Sequence, residues 1–243
     1  MLSLTKWGYK NEKHDKELKI HYRIGTTDEK VINEVLIKNA YQKRKIGFII
    51  EPTDYWLDLG GNIGTFSLQV LSKGCKVVTF EPEPDNIELF KTNLSTNFPR
   101  GSYEIIPTCV SIYNGETNLY LCNGDYNKYR HSMCLGKSNR RSIKVPVLDI
   151  HDILKKYPDI TCIKIDIEGE EINILEKINL EALKNIKKLV FEYSFDVDPS
   201  IPRFINIINR LKLVFSKVHY TGVKPSDLEY KFYPPCVNVF CLQ

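Results

Sequence analysis

Residues 58–64 read Asp58-Leu59-Gly60-Gly61-Asn62-Ile63-Gly64. They lie between an apolar run and a helical pattern, and the next apolar run closes on Phe80-Glu81-Pro82. Glycine lacks a Cβ, so a turn carrying several of them bends sharply and lets a ligand lie against the main chain. A carboxylate one strand later can take both hydroxyls of a ribose. The two segments together predict a pocket for a nucleotide-like cofactor at a strand-to-helix turn.

Outward from that turn, apolar runs alternate with helical patterns, the signature of a parallel sheet flanked by helices. Strands are expected at Tyr55–Leu59, Lys76–Glu81, Tyr103–Ser111, Cys162–Ile167, Lys188–Tyr193, Val214–Tyr220 and Val237–Leu242. Helices are expected at Ile63–Ser72, Pro84–Thr96, Asp149–Lys156, Glu170–Lys177 and Ile201–Leu211. The fold class is therefore α/β, a seven-stranded, mostly parallel sheet whose last two runs, joined by loop alone, pair antiparallel. Thr117–Cys122 and Ser142–Leu148 flank a polar stretch, Asn123 to Arg141, that holds Tyr126, Tyr129, Arg130 and His131. This predicts an inserted β-hairpin with a long loop. Upstream, Thr27 or Asp28 caps a helix through about Lys45, which makes residues 1–50 an N-terminal helical extension to a domain over 51–243.

Composition narrows the class. The 243 residues suit one α/β domain, and 42% apolar with 26% charged residues excludes large-scale disorder. A net charge of +4, spread along the chain, does not make a nucleic-acid binder. Seven cysteines without a C-x-x-C pair are read as reduced thiols, with neither a disulfide framework nor structural zinc. With no signal-peptide pattern and no membrane-length apolar run, the expectation is a soluble, cytoplasmic protein. Nothing in the sequence speaks to oligomeric state.

A dinucleotide turn needs glycines spaced G-x-G-x-x-G. Counted from Gly60, Asn62 and Thr65 occupy the second and third glycine positions, so the spacing fails. The wider turn, with Asp58 at the strand end, suits a cofactor with a charged amino-acid tail better than a pyrophosphate. An NAD(P)-dependent oxidoreductase is thereby disfavoured.

Four blocks carry a family resemblance: D-L-G-G-N-I-G-T-F-S-L from Asp58, F-E-P-x-P-x-N-x-x-x-F-x-x-N from Phe80, V-P-V-x-x-I-x-x-I-L from Val145, and I-K-I-D-I-E-G-E-E-x-x-I-L from Ile163. In content and order they resemble the FkbM-type methyltransferases that use S-adenosylmethionine (SAM). The family pattern commonly has Ala where this chain has Gly61, and Asp where it has His151. The resemblance implies a Rossmann-like class I SAM methyltransferase fold. It implies that Asp58 and the Gly60, Gly61, Asn62, Gly64 turn bear the methionine part of SAM, and that Glu81, with Pro82, takes the ribose. Cys109, Val110 and Ser111 would lie beside the adenine, and Asp166, Glu168 and Gly169 would face the reactive methyl.

Asp166 is the leading candidate for base or orienting group, Glu168 the second, and His131 a possible base toward a sugar hydroxyl. Lys164 lies on the same strand face as Asp166 and could either pair with it or lay its stem against a helix. No metal is expected. The predicted activity is O-methylation of a small-molecule or glycan acceptor, with no nucleic-acid partner; a non-catalytic SAM-binding module is the rival.

Overall fold

The computed structural model describes residues 4–10, 17–121, 131–133, 141–220 and 236–243. Tyr126, Tyr129 and Arg130 lie outside the described residues. Strands β1 (Leu4–Lys10) and β2 (Glu17–Arg23) form an antiparallel hairpin, and α1 (Asp28–Ile32) runs on into a π-helical turn over Asn33–Ile37. This corrects the expected helical extension. Leu18 and Ile20 are buried while Lys19 between them is exposed, a period of two that makes a strand. The helix after Asp28 stops well short of Lys45, with Asn39 left-handed at φ 53°.

The main sheet is built from β3 (Tyr55–Leu59), β4 (Lys76–Phe80), β5 (Tyr103–Ile106), β9 (Cys162–Ile165), β10 (Lys188–Ser194), β11 (Lys217–Tyr220) and β12 (Cys236–Leu242). Its order is β11-β12-β10-β9-β3-β4-β5, with β12 antiparallel to both neighbours and the rest parallel. The expected seven strands are all present. A separate sheet of β6 (Cys109–Ser111), β8 (Ser142–Asp149) and β7 (Gly115–Tyr120) contains the predicted hairpin, β7 against β8. The run Tyr103–Ser111, expected as one strand, is two. Pro107 has no N–H for the ladder, and the chain turns there, Thr108 N donating to Ile106 O at 2.9 Å.

Helices α2 (Thr65–Leu71) and α3 (Pro84–Asn97) cover one face, while α4 (Ile150–Lys156), α5 (Glu170–Lys177) and α6 (Ile201–Leu211) cover the other. Strand alternation assigns every central residue to one of these faces. Leu57, Leu59, Ile163, Ile165, Val78, Phe80 and Phe191 pack with α4–α6, whereas Trp56, Val77, Cys162 and Val190 pack with α2 and α3. By the same period of two, Asp58, Glu81, Lys164, Asp166 and Glu192 all belong to the α2/α3 face. The N-terminal segment lies on that face too, since Leu18, Ile20, Val35, Leu36, Tyr41 and Phe48 share one cluster with Trp56, Phe66 and Phe90. Two side-chain amides of α3 hold β2 in place. Asn93 accepts from His21 N (2.7 Å) and donates to His21 O (3.1 Å); Asn97 does the same for Lys19 (2.8 and 2.7 Å).

Where the family commonly has a second Asp, His151 has a structural use. Asp149 caps α4 by accepting from His151 N and contacts its Nδ1, while His151 Nε2 accepts from Asn179 N at 3.0 Å. No helix among the described residues is long and apolar enough to cross a membrane.

Candidate active site

From β3 the chain passes to β4 and β5 on one side and later returns to β9 and β10 on the other, so the order of the sheet reverses between β3 and β9. Open α/β sheets bind ligands outside the carboxyl ends of their strands at such a point. A cavity of ≈ 510 Å³ opens there, lined among others by Gly60, Gly61, Asn62, Thr65, Glu81, Pro82, Cys109, Val110, His131, Lys164, Asp166, Glu168 and Glu192, and by Lys30, Val31, Glu34, Val35, Lys38, Ala40 and Tyr41 of the N-terminal segment.

The turn is clipped to β4, Gly60 N and Gly61 N both donating to Phe80 O at 2.9 and 3.1 Å. Gly60 has φ 86°, and a Cβ on it would stand 1.9 Å from the Asp166 carbonyl oxygen, so only glycine lets the β3 and β9 ends approach this closely. A Cβ on Gly61 would fall 2.3 Å from Thr79 Cγ2 and 2.5 Å from Phe90 Cε1, which accounts for glycine where the family pattern commonly has Ala. Gly64 likewise packs under the Phe90 ring and does not line the cavity. Asn62 takes the left-handed conformation at φ 48°, which Asn tolerates better than most residues.

Glu81 is buried and lines the cavity. Its Oε2 accepts from Asn62 N at 2.7 Å; its Oε1 accepts from Glu83 N at 3.0 Å and Asn86 Nδ2 at 3.3 Å. Burial pushes its carboxyl up to about 7, against the pull of these donors. Asn86 and Asn93 are the two asparagines of the second family block; one supports the Glu81 carboxylate and the other clamps β2.

Asp58 is not on the cavity wall. It is fully buried, paired with Lys164 Nζ at 3.2 Å and accepting from Ser67 Oγ at 2.9 Å. Lys164 also donates to Gly60 O at 2.7 Å, so the pair braces the turn from beneath, with Lys164 itself reaching the cavity wall. A pair of Lys164 with Asp166 is displaced for a geometric reason. The register sets Lys164 beside Asp58 on the neighbouring strand, closer than a residue two positions along its own. Burial works against the Lys164 charge, but Asp58 and Asp166 outweigh it and hold the ammonium above its ordinary range.

Asp166 lies on the wall and accepts a short hydrogen bond, 2.5 Å, from the Tyr41 hydroxyl. Tyr41 is buried, its ring edge-on to Phe66. Burial, and next the Asp166 charge, raise its phenol well above 10, so it stays a donor. Glu168, also on the wall, sits at φ 59°, a left-handed position costing a non-glycine residue about 1 kcal/mol. Its carbonyl accepts from Ser132 Oγ, and this bond ties the base of the inserted hairpin, with His131, to the end of β9. Burial, with Asp166 and Glu168 adding their charge, pushes the Glu192 carboxyl up to about 9.

Cys109 and Val110 reach the cavity from β6, on the small sheet and not on the third strand of the main one. Ser111 does not line it, because its hydroxyl is buried against Glu170 Oε1 at 2.5 Å. Sequence reasoning missed Tyr41, Arg23 and the wall from Lys30 to Lys38, which carry no motif. Asn86 was legible as a block residue, and Glu192 as the polar end of an apolar strand.

This sheet order, with a glycine turn and a ribose-type carboxylate at the switch point, defines a class I SAM-dependent methyltransferase. The methyltransferase FkbM domain signature matches residues 58–215, well over half of the chain, and the chain belongs to that family. Its cofactor is S-adenosylmethionine. The residues present fit that group: among the described residues the buried Thr65 hydroxyl on the cavity wall has no hydrogen-bond partner, and Glu81 stands one strand away. A search of curated proteins finds no significant match.

The chain is similar to several solved structures, of which three follow. A precorrin-6y C5,15-methyltransferase from Geobacter metallireducens is 11% identical over 79% of this chain and 81% of its own, with a TM-score of 0.43. A precorrin 8w decarboxylase from Methanobacterium thermoautotrophicum is 13% identical over 88% and 89%, TM-score 0.43. A Pyrococcus abyssi tRNA (uracil-54, C5)-methyltransferase in complex with S-adenosylhomocysteine is 12% identical over 99% of this chain and 44% of its own, TM-score 0.47.

Proposed function

We propose that this chain is an O-methyltransferase that transfers the methyl of SAM to a hydroxyl of a sugar or glycan. SAM supplies a methyl on a positively charged sulfur, already a good leaving group. The Gly60–Gly64 turn and Thr65 hold its methionine part, Glu81 its ribose, and Cys109 with Val110 its adenine. Asp58 acts one step back, fixing the turn through Lys164.

The observation that carries the reading is Asp166 on the cavity wall, one carboxylate oxygen held by Tyr41 at 2.5 Å. A carboxylate so oriented takes the proton of an acceptor hydroxyl as the new C–O bond forms, and the protein's remaining task is alignment. Glu168 and His131 flank it, one as orienting group and the other as a second acceptor of the proton. Glu192, whose carboxyl burial and then the Asp166 charge push upward, favours its neutral form beside Asp166. The sugar acceptor is supported by the tendency of the family and by His131 on the wall. Metal plays no part in this scheme, so EDTA is expected to leave turnover unchanged.

The test is a radiolabelled methyl-transfer screen over sugars, glycans and small hydroxylated metabolites, with RNA as a further arm. Asp166→Asn should lower transfer about 10²- to 10⁴-fold while still binding SAM. Normal transfer by that variant, or labelling of RNA alone, would overturn the proposal.

A further inference from the structure

We infer that Arg23, in β2 and upstream of the family-matched residues, is a positioning residue for the SAM ribose, acting through Asn86 on Glu81. The inference rests on the reading of Glu81 as the ribose carboxylate. Arg23 is 4% exposed and Asp28 is fully buried, and the two are joined by a two-pronged pair, Nε to Oδ2 at 2.8 Å and Nη2 to Oδ1 at 3.0 Å. The same Nη2 donates to Asn86 Oδ1 at 2.7 Å, and Asn86 Nδ2 donates to Glu81 Oε1 at 3.3 Å. An asparagine amide has an acceptor end and a donor end that differ little in shape. Arginine only donates, so it takes the oxygen and leaves the NH₂ group to Glu81. Without Arg23 the amide is held only by its 3.3 Å bond to Glu81, so it can swing off the carboxylate and let the oxygens that meet the ribose shift. The guanidinium charge also polarises the amide and strengthens its donor end. Glu83 completes the frame: its Oε2 accepts from Asn86 N at 2.6 Å while its own N–H donates to Glu81 Oε1.

The experiment compares binding of S-adenosylhomocysteine with that of its 2′,3′-dideoxy analogue by calorimetry, in wild type, Arg23→Lys, Asn86→Leu and Glu81→Ala. Arg23→Lys keeps a cation for Asp28 and loses the fork, whereas Asn86→Leu keeps the Arg23–Asp28 pair whole. Thermal melts confirm that each variant is folded. Wild type should prefer the ribose ligand by about tenfold or more. In Arg23→Lys and Asn86→Leu the preference should shrink at least about fivefold, by weaker binding of the ribose ligand alone. If either folded variant keeps the wild-type preference, or weakens both ligands equally, the positioning role is wrong. If Glu81→Ala itself keeps the preference, the ribose reading of Glu81 fails instead.

Discussion

Glu81 and Asp166 reach the cavity from the ends of parallel strands, whereas Tyr41 reaches it, and Arg23 acts on it through Asn86, from the segment before the sheet begins. Strand ends are placed by the ladder: once β3, β4 and β9 pair, alternation puts all their polar termini on one face. The N-terminal segment has no ladder to the main sheet. Apolar packing and side-chain bonds seat it, including the Asn93 and Asn97 clamps and the Tyr41–Asp166 bond. The difference teaches that chemistry-bearing groups can sit on rigid strands while the groups that orient them come from a separately docked segment.

The comparison predicts unequal sensitivity. Gly60→Ala should be the most damaging change, because its Cβ would meet the Asp166 carbonyl at 1.9 Å and φ is positive; urea unfolding should show a loss of about 5 kcal/mol or no folded protein. Asp58→Asn would leave Lys164 buried without its counter-charge and should cost about 3–5 kcal/mol. A double Asp58→Leu, Lys164→Met variant should regain much of this, and an equally unstable double variant would contradict the pair's role.

Two buried carboxyls, Glu81 after β4 and Glu171 in α5, also make stability pH-dependent. Burial raises Glu81 to about 7 and Glu171 to about 8 from an ordinary 4.5, so the folded state binds more protons than the unfolded in that window. Stability is then greatest below about 4.5 as far as these groups decide it, and it is lost as pH rises through 7 and 8. Glu171→Gln should remove its share, on the order of 3 kcal/mol between pH 5 and 9, in melts recorded across that range.

Changes to the contacts that seat the docked segment should be milder. Asn93→Ala removes the clamp on His21 and the bond to Ile63 O at 2.9 Å, and should cost about 2 kcal/mol while loosening β2 in hydrogen exchange. Tyr41→Phe should leave stability nearly unchanged and lower methyl transfer about tenfold, with SAM affinity retained. A larger effect on stability than on turnover would make Tyr41 a packing residue.

Most of the sheet was legible because apolar runs and glycine stops are local signals. The end of the third strand was not, since Pro107 divides a run that is continuous in composition. Among the site residues, Glu81, Asn62 and Asp166 sit where the turn and strand ends imply. Asp58 and Ser111 are drawn away by partners, Lys164 and Glu170, that lie 106 and 59 residues distant in the chain. Arg23 and Tyr41 had no signal at all, because a lone arginine in a polar strand or a tyrosine after a helical turn has many possible uses.

The sequence by itself determined the order of strands and helices from Tyr55 onward, the glycine turn, the carboxylate at the end of the next strand and the family, because each depends on residues close together in the chain. Only the tertiary structure decided that Lys164 serves Asp58, that Tyr41 holds Asp166 and that Arg23 steadies Glu81 through Asn86. Those pairings depend on strand register and on how a distant segment packs across one face of the sheet, and neither is written in local pattern.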